Sequence, residues 1–214
     1  MIPKFKAAMF DMDGTLLRTM RYWRLTTIEM LLGRNIIPTP EQMARVFSSS
    51  SRALCGEILA EHGIYMGERE ILHELEYYMH PHYLRDATVK PRVGEYLEKL
   101  KREGVRMCIG TAAPRESARA ALTRLGLADY FEFILDQYEL DMRKNNPEYF
   151  RVVAQRMDVE LKDMCVFEDA LYSIRTAKAL GCPVIAIEAG TQAQDKEEIM
   201  RIADHYICEY KELL

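Results

Sequence analysis

Phe5-Lys6-Ala7-Ala8-Met9-Phe10-Asp11-Met12-Asp13-Gly14-Thr15 is a short, almost wholly apolar run that stops at two carboxylates and a glycine. Such a run, too short for a buried helix and closed by a polar loop, reads as a buried parallel strand (residues 5–10) delivering Asp11 to its carboxyl end. Two acids two residues apart at a buried strand end repel each other and call for a cation. Their hard oxygens suit Mg²⁺, and one acid can attack phosphorus while the other handles a proton. The plain alternative is a strand-end turn at Asp13-Gly14.

Four more runs have this form: Val105–Ile109 before Gly110-Thr111, Phe133–Leu135, Met164–Phe167 before Glu168-Asp169, and Val184–Ile187 before Glu188. Helical patterns lie between them at Arg92–Glu103, Arg115–Leu125, Pro147–Met157 and Leu171–Leu180, most with Gly close behind. Alternating strands and helices predict a parallel sheet covered on both faces, with ligands at the carboxyl ends of the strands. Asp11, Thr111 and Asp169 fall there. Residues 18–86 break the pattern with helix-forming stretches (Leu25–Leu32, Glu41–Val46, Arg52–His62, Glu68–Tyr83) and no strand, which predicts a helical cap inserted over the strand ends. The expected domains are 1–17 with 87–214 as the core and 18–86 as the cap. Ser48–Ser51 reads as a helix start, and His80-Pro81-His82 as a helix end.

Three further segments carry chemistry only in combination. Gly110-Thr111-Ala112-Ala113 offers a hydroxyl and exposed N–H groups to phosphate oxygens, or is an ordinary tight turn. Lys144, ahead of a helix at Pro147, would neutralise a nucleophile and the transferring phosphoryl group, or is a surface lysine. Glu168-Asp169 would complete a metal site, or cap the next helix.

In this order and at these strand ends, the four segments resemble the motifs of the haloacid dehalogenase (HAD) superfamily. The resemblance covers nearly the whole chain and implies a Rossmann-like sheet, a phosphatase, and a Mg²⁺ cofactor. It implies that Asp11 is the nucleophile forming an aspartyl-phosphate and that Asp13 is the general acid/base, its backbone carbonyl helping to bind the metal. Thr111, with Ala112, stands at the phosphate-binding position, Lys144 at that of the family lysine, and Asp169 with Glu168 at the acidic metal motif. The helical insertion and segments such as Phe167–Ser173 are most similar to the branch containing phosphoglycolate phosphatase and β-phosphoglucomutase. The chain departs from it at Arg18, where many relatives have an acid, at Trp23, where mutases have a histidine nearby, and at Lys144-Asn145 in place of Lys-Pro. Asp13 argues against a true dehalogenase. The expectation is hydrolysis of a small phosphorylated metabolite; the alternatives are a sugar-phosphate mutase and a non-catalytic phospho-ligand-binding protein.

Arg18, Arg21, Tyr22, Trp23, Arg24 and Arg52 are the polar groups expected near the junction of cap and site. Arg52 is a candidate phosphate ligand. The three early arginines favour a substrate with a second anionic group, or are a solvated helix face.

Composition bounds the partners. With 49% hydrophobic residues in 214, a sizeable core is expected, and 29 basic against 33 acidic residues give a net charge of −4, so no global field attracts nucleic acid. Five scattered cysteines without a C-x-x-C pair suggest a reduced, cytoplasmic protein without zinc. The thirteen methionines read as core filler, no run approaches the ~18 apolar residues of a membrane span, and a monomer or weak dimer is expected.

Overall fold

In the computed structural model, which describes residues 4–48, 52–190 and 194–214, the run ahead of Asp11 forms β1 (Ala7–Phe10) with every residue buried. Four helices follow: α1 (Met20–Leu32), α2 (Pro40–Ser48), α3 (Arg52–Glu61) and α4 (Glu68–Arg85). Then α5 (Val93–Arg102), β2 (Arg106–Thr111), α6 (Arg115–Arg124), β3 (Ile134–Asp136), α7 (Pro147–Arg156), β4 (Met164–Glu168), α8 (Leu171–Ala179), β5 (Val184–Ile187), α9 (Lys196–Ile202) and β6 (His205–Ile207) alternate to the end.

The strands form one parallel sheet in the order β3-β2-β1-β4-β5-β6. From β1 the chain runs outward through β2 and β3, then returns to the other side of β1 for β4, β5 and β6. This is the doubly wound, Rossmann-like α/β arrangement, and its reversal of strand order makes a crevice beside β1. Alternate side chains of β1 enter opposite layers. Met9 joins a core with Cys108, Tyr149, Phe150, Val166 and Ile174. On the other face Phe10 stacks on Phe167 with ring centroids 4.2 Å apart, and Tyr96 of α5 lies 5.7 Å from the same ring.

The chain divides into two compact units, residues 1–18 with 88–214 and residues 19–87. The second is helical and has its own core, including Met30, Leu31, Ile58, Leu59 and Ile71.

Several local expectations are corrected. Helix α1 begins at Met20 rather than Leu25, and α4 does not stop at His80-Pro81-His82 but continues through Pro81 to Arg85. The proline removes one backbone donor, yet the turn beyond it is held by Asp86 N and Ala87 N donating to His82 O at 2.8 and 2.9 Å. The His82 ring is fixed between Asp86 (2.6 Å) and Glu29 (3.2 Å) and stacks on Tyr22. Ser48 closes α2, while 49–51 lie outside the described residues. Strand β6 and helix α9 are additions to the sequence reading. The first is a three-residue edge strand, and the second has Ile199 as its buried residue, so neither carries a periodic signal.

Four of the five free cysteines are buried and Cys208 is exposed. Among the described residues no helix is long and apolar enough to cross a membrane.

Because Phe10 is fully buried and stacked at the centre of the sheet, Phe10→Ala is expected to cost ~3–5 kcal/mol in urea unfolding of the full chain. A loss below ~1 kcal/mol would show that the centre of the sheet can collapse around the missing ring.

Candidate active site

The register of β1 fixes what stands beside Asp11. Phe10 is level with Ile109 on β2 and Phe167 on β4, so the next residues, Asp11, Gly110 and Glu168, emerge together at the carboxyl edge. Asp11 N donates to Phe167 O at 2.9 Å.

Lys144 reaches this edge from the loop between β3 and α7. A turn closed by Asn146 N donating to Arg143 O (2.9 Å) brackets it, and the Asn146 side chain caps α7 by accepting from Glu148 N. An asparagine cap therefore holds the loop here, with the proline displaced to Pro147 at the first turn of α7. Tyr149 ties the helix to the sheet by donating to Leu135 O at 2.7 Å. Lys144 is 4% exposed, which overturns the surface-lysine alternative. Its ammonium donates to Asp11 Oδ1 at 2.5 Å, Glu168 Oε2 at 2.6 Å and Gly110 O at 3.2 Å, which occupies all three hydrogens.

Glu168 Oε1 accepts from the backbone of Asp169 (2.9 Å) and Ala170 (3.0 Å). The N-cap of α8 is Ala170, so the backbone donors ahead of α8 are met by Glu168 and Asp169 is not a helix cap. Asp169 Oδ2 instead lies so close to Gly14 that a Cβ added there would sit 2.4 Å from it, and Gly14 also has φ +81°. Glycine is thus required twice at this point of the Asp13 loop.

One carboxylate oxygen from each of Asp11, Glu168 and Asp169 lies within 4.8 Å of the others. The partly buried Asp13 carboxylate is not in that group, and its backbone forms an isolated bridge with Leu17. Thr111, 1% exposed, ends β2 with Oγ1 accepting from Ala113 N at 3.0 Å, and Ala112 beside it is partly exposed.

Three buried acids, Asp11, Glu168 and Asp169, stand with Lys144 at this edge, the charge of Asp13 bears on Asp11, and burial and Lys144 decide which of the three stay ionised. Burial raises all three of the buried group, but Lys144 and the Ala170 N–H hold Glu168 below its ordinary range. Asp11 is pushed up to about 8 by burial, then by the charges of Glu168 and Asp13, against the pull of Lys144. Asp169 is pushed well up by burial, Glu168 and Asp11. Lys144, which burial alone would lower, is held well above its ordinary value by Asp11 and Glu168. Asp11 Oδ2 is buried with no hydrogen-bond partner. An unsatisfied carboxylate oxygen within a hard-oxygen donor set matches the chemistry of a divalent cation such as Mg²⁺, which would also allow Asp11 to ionise near neutral pH.

Lys90 is a neighbour that the sequence reading missed. It donates from Nζ to Glu188 O at 2.6 Å, and its pKa is lowered to about 8 by burial and by Arg18, against Asp169, Asp11 and Glu188. The available signal was local: a basic residue held extended before Pro91, where the chain returns from the helical stretch.

The expected junction residues divide between the units. Arg18 belongs to the sheet unit and is exposed. Arg21 lies over the Tyr22 ring, Tyr22 donates to Asp86 O at 3.0 Å, and Trp23 packs on the helical core, so these have partners within their own unit. The Arg24 Nε is buried without a partner. Arg52 opens α3, and its side chain lies outside those described.

A model of haloacid dehalogenase-like hydrolases matches residues 5–181. Phosphoglycolate phosphatase of Rhodospirillum rubrum is 27% identical over 86% of this chain and 80% of its own length. β-Phosphoglucomutase of Bacillus subtilis is 26% identical over 92% of this chain and 89% of its own. The structure of a predicted phosphoglycolate phosphatase from Haemophilus somnus superposes with a TM-score of 0.78 at 21% identity, covering 100% of this chain and 98% of that one, which supports the fold.

The raised Asp11 carboxyl gives a signed pH dependence. The metal-free folded protein holds a proton there that the unfolded chain gives up above about pH 4, so this group's contribution to stability is lost as pH rises toward 8. A Mg²⁺ ion held by Asp11 would have to displace that proton. Its affinity, followed by calorimetry or by the rise in Tm, is expected to increase about tenfold per pH unit for each proton displaced between pH 5 and 8, then to level off. A pH-independent affinity would show that Asp11 is already ionised in the metal-free protein. Gly14→Ala is expected to weaken Mg²⁺ binding by displacing Asp169.

Proposed function

Because the chain belongs to the haloacid dehalogenase-like hydrolase family, we propose that it is a Mg²⁺-dependent phosphatase of a small phosphorylated metabolite, with Asp11 accepting the phosphoryl group. The observation that carries this reading is the buried Lys144, donating to both Asp11 and Glu168 beside Asp169. A structural salt bridge needs one acid for one lysine; this cluster has acids in excess and an Asp11 oxygen with no partner.

Lys144 orients the Asp11 carboxylate through Oδ1 and offsets charge on Asp11 and on the phosphoryl oxygens. Asp11 attacks phosphorus in line: the Asp11 oxygen–phosphorus bond forms as the bond to the leaving oxygen breaks, and Asp13 gives that oxygen its proton. Asp13 then takes a proton from water, which attacks phosphorus, releases phosphate and restores Asp11. Thr111 Oγ1 and the Ala112 backbone hold phosphoryl oxygens. Mg²⁺, when bound, supplies charge neutralisation, and Asp11, Asp169 and the Asp13 carbonyl would hold it, with Glu168 as the remaining acid of the set. To the helical unit 19–87 we assign the role of a substrate-selecting cap, with Arg52 as a phosphate ligand.

The test is phosphate release from a panel of sugar phosphates, phosphoglycolate, nucleotides and an aryl phosphate, with and without Mg²⁺. Release is expected to require Mg²⁺, to fall at least ~10³-fold in Asp11→Asn, and to fall ~10²–10³-fold in kcat in Lys144→Met. Release undiminished in Asp11→Asn would end the reading. Isomerisation of a sugar phosphate without phosphate release would assign a mutase instead.

A further inference from the structure

Arg18 and Lys90 are cations with no task in the phosphoryl transfer described above. Both belong to the sheet unit and lie on short extended segments joined by the bridge between Leu17 and Val89. Arg18 N donates to Thr88 O and Lys90 N to Leu16 O, each at 2.8 Å, so the two segments run antiparallel. In such a pair the residues flanking a bridge share one face, which places Leu16, Arg18, Thr88 and Lys90 together and makes Arg18 and Lys90 diagonal neighbours.

The Lys90 side chain is fixed at the end of β5 by its 2.6 Å hydrogen bond to Glu188 O. The residue after Glu188 lies next to the metal-site acids: a Cβ on Gly14 would meet Ala189 Cβ at 3.2 Å as well as Asp169 Oδ2 at 2.4 Å. The charges that bear on Lys90 include Asp169, Arg18 and Asp11, so its ammonium lies within electrostatic reach of both the acidic cluster and Arg18. Glu188 O is one acceptor for three ammonium hydrogens, and the Arg18 guanidinium is exposed. Asp169 and Asp11 bear on Lys90 and Glu209 on Arg18, and beyond these an ammonium beside an exposed guanidinium fork suits a carboxylate or phosphate of a ligand.

We infer that Lys90, assisted by Arg18, binds a second anionic group of the substrate, so that the preferred substrates are phosphate monoesters carrying a carboxylate or a further phosphate near the transferred group. This rests on the phosphatase reading and narrows its substrate class. The rival role for Lys90 is a counter-ion to Asp169 with no contact to substrate.

Inert phosphonates separate the two. Calorimetry on the full chain with excess Mg²⁺ compares propylphosphonate, 3-phosphonopropionate and propane-1,3-bisphosphonate, the last two distinguishing a carboxylate from a second phosphate. The wild type is expected to bind at least one doubly anionic ligand about tenfold or more tighter than propylphosphonate. That ratio is expected to fall close to one in Lys90→Met, to fall partly in Arg18→Ala, and to survive in Lys90→Arg. Arg18 is exposed, so its variant keeps the test open if Lys90→Met does not fold. Equal affinity for all three ligands in the wild type, or a ratio unchanged in Lys90→Met and Arg18→Ala, overturns the inference. A Lys90→Met protein that weakens every ligand equally assigns the counter-ion role and overturns it too. Failure of the wild type to bind any phosphonate would instead count against the phosphatase reading, and this inference would fall with it.

Discussion

The structure depends on one buried ammonium, Lys144, shared between Asp11 and Glu168. Removing these charges from water is costly, and in a low-dielectric interior the loss is recovered only where every hydrogen and lone pair finds a partner. Lys144 meets that condition with three acceptors, and Glu168 meets it with Lys144 and two backbone donors. Asp11 does not, since its Oδ2 has no partner. The imbalance is what distinguishes this cluster from a structural ion pair, and the burden falls on the residue at the end of the central strand.

The fold satisfies this constraint through register. A parallel sheet wound both ways from β1 gives that strand two neighbours, β2 and β4, that arrive from separate parts of the chain. Each ends at the same level with a different contribution: a carbonyl from Gly110 and a carboxylate from Glu168, with Thr111 one residue further on. A Cβ at Gly110 would lie 2.8 Å from Met9 Sδ, so any larger residue there would force the buried Met9 side chain to shift. A one-residue slip of β4 would turn Glu168 to the opposite face and leave Lys144 with one carboxylate.

Strand ends were the most legible part of the sequence because burial on both faces makes a parallel strand a short apolar run, and its chemistry begins where the run stops. Asp11, Gly110, Thr111, Glu168 and Asp169 were found in this way. Lys144 was harder. A lysine in a polar loop looks exposed, and its burial follows from a crossover that brings residue 144 to residues 11 and 168, which no local window contains. The short β6 and α9 bury too few side chains to leave a period. Pro81 misled because a proline removes only one helical hydrogen bond, a loss that α4 tolerates with the His82 turn holding its end. Lys90 left only the weak signal of a basic residue ahead of Pro91, because its partner is a backbone carbonyl, and carbonyls have no sequence signature.

The parts that are legible are also the least specific. A phosphatase and a mutase that resemble this chain to nearly the same degree, 27% and 26% identical, would be recognised by the same strand-end motifs. A core that orients a phosphoryl group binds what all phosphate monoesters share, so it cannot discriminate among them. Discrimination requires contacts with the remainder of the substrate, and those come from residues outside the strand ends. In this chain the two connections between the sheet unit and residues 19–87 carry Arg18 and Lys90. A cation at Arg18 costs little in folding because it is exposed, while Lys90 is partly buried and offsets part of its lost hydration with a carbonyl partner and the nearby Asp169 and Asp11. Arg18 can therefore vary in charge without disturbing the buried ion cluster, whereas the charge at Lys90 also bears on Asp169 and Asp11, so the two positions can tune substrate preference on a common catalytic base to different extents.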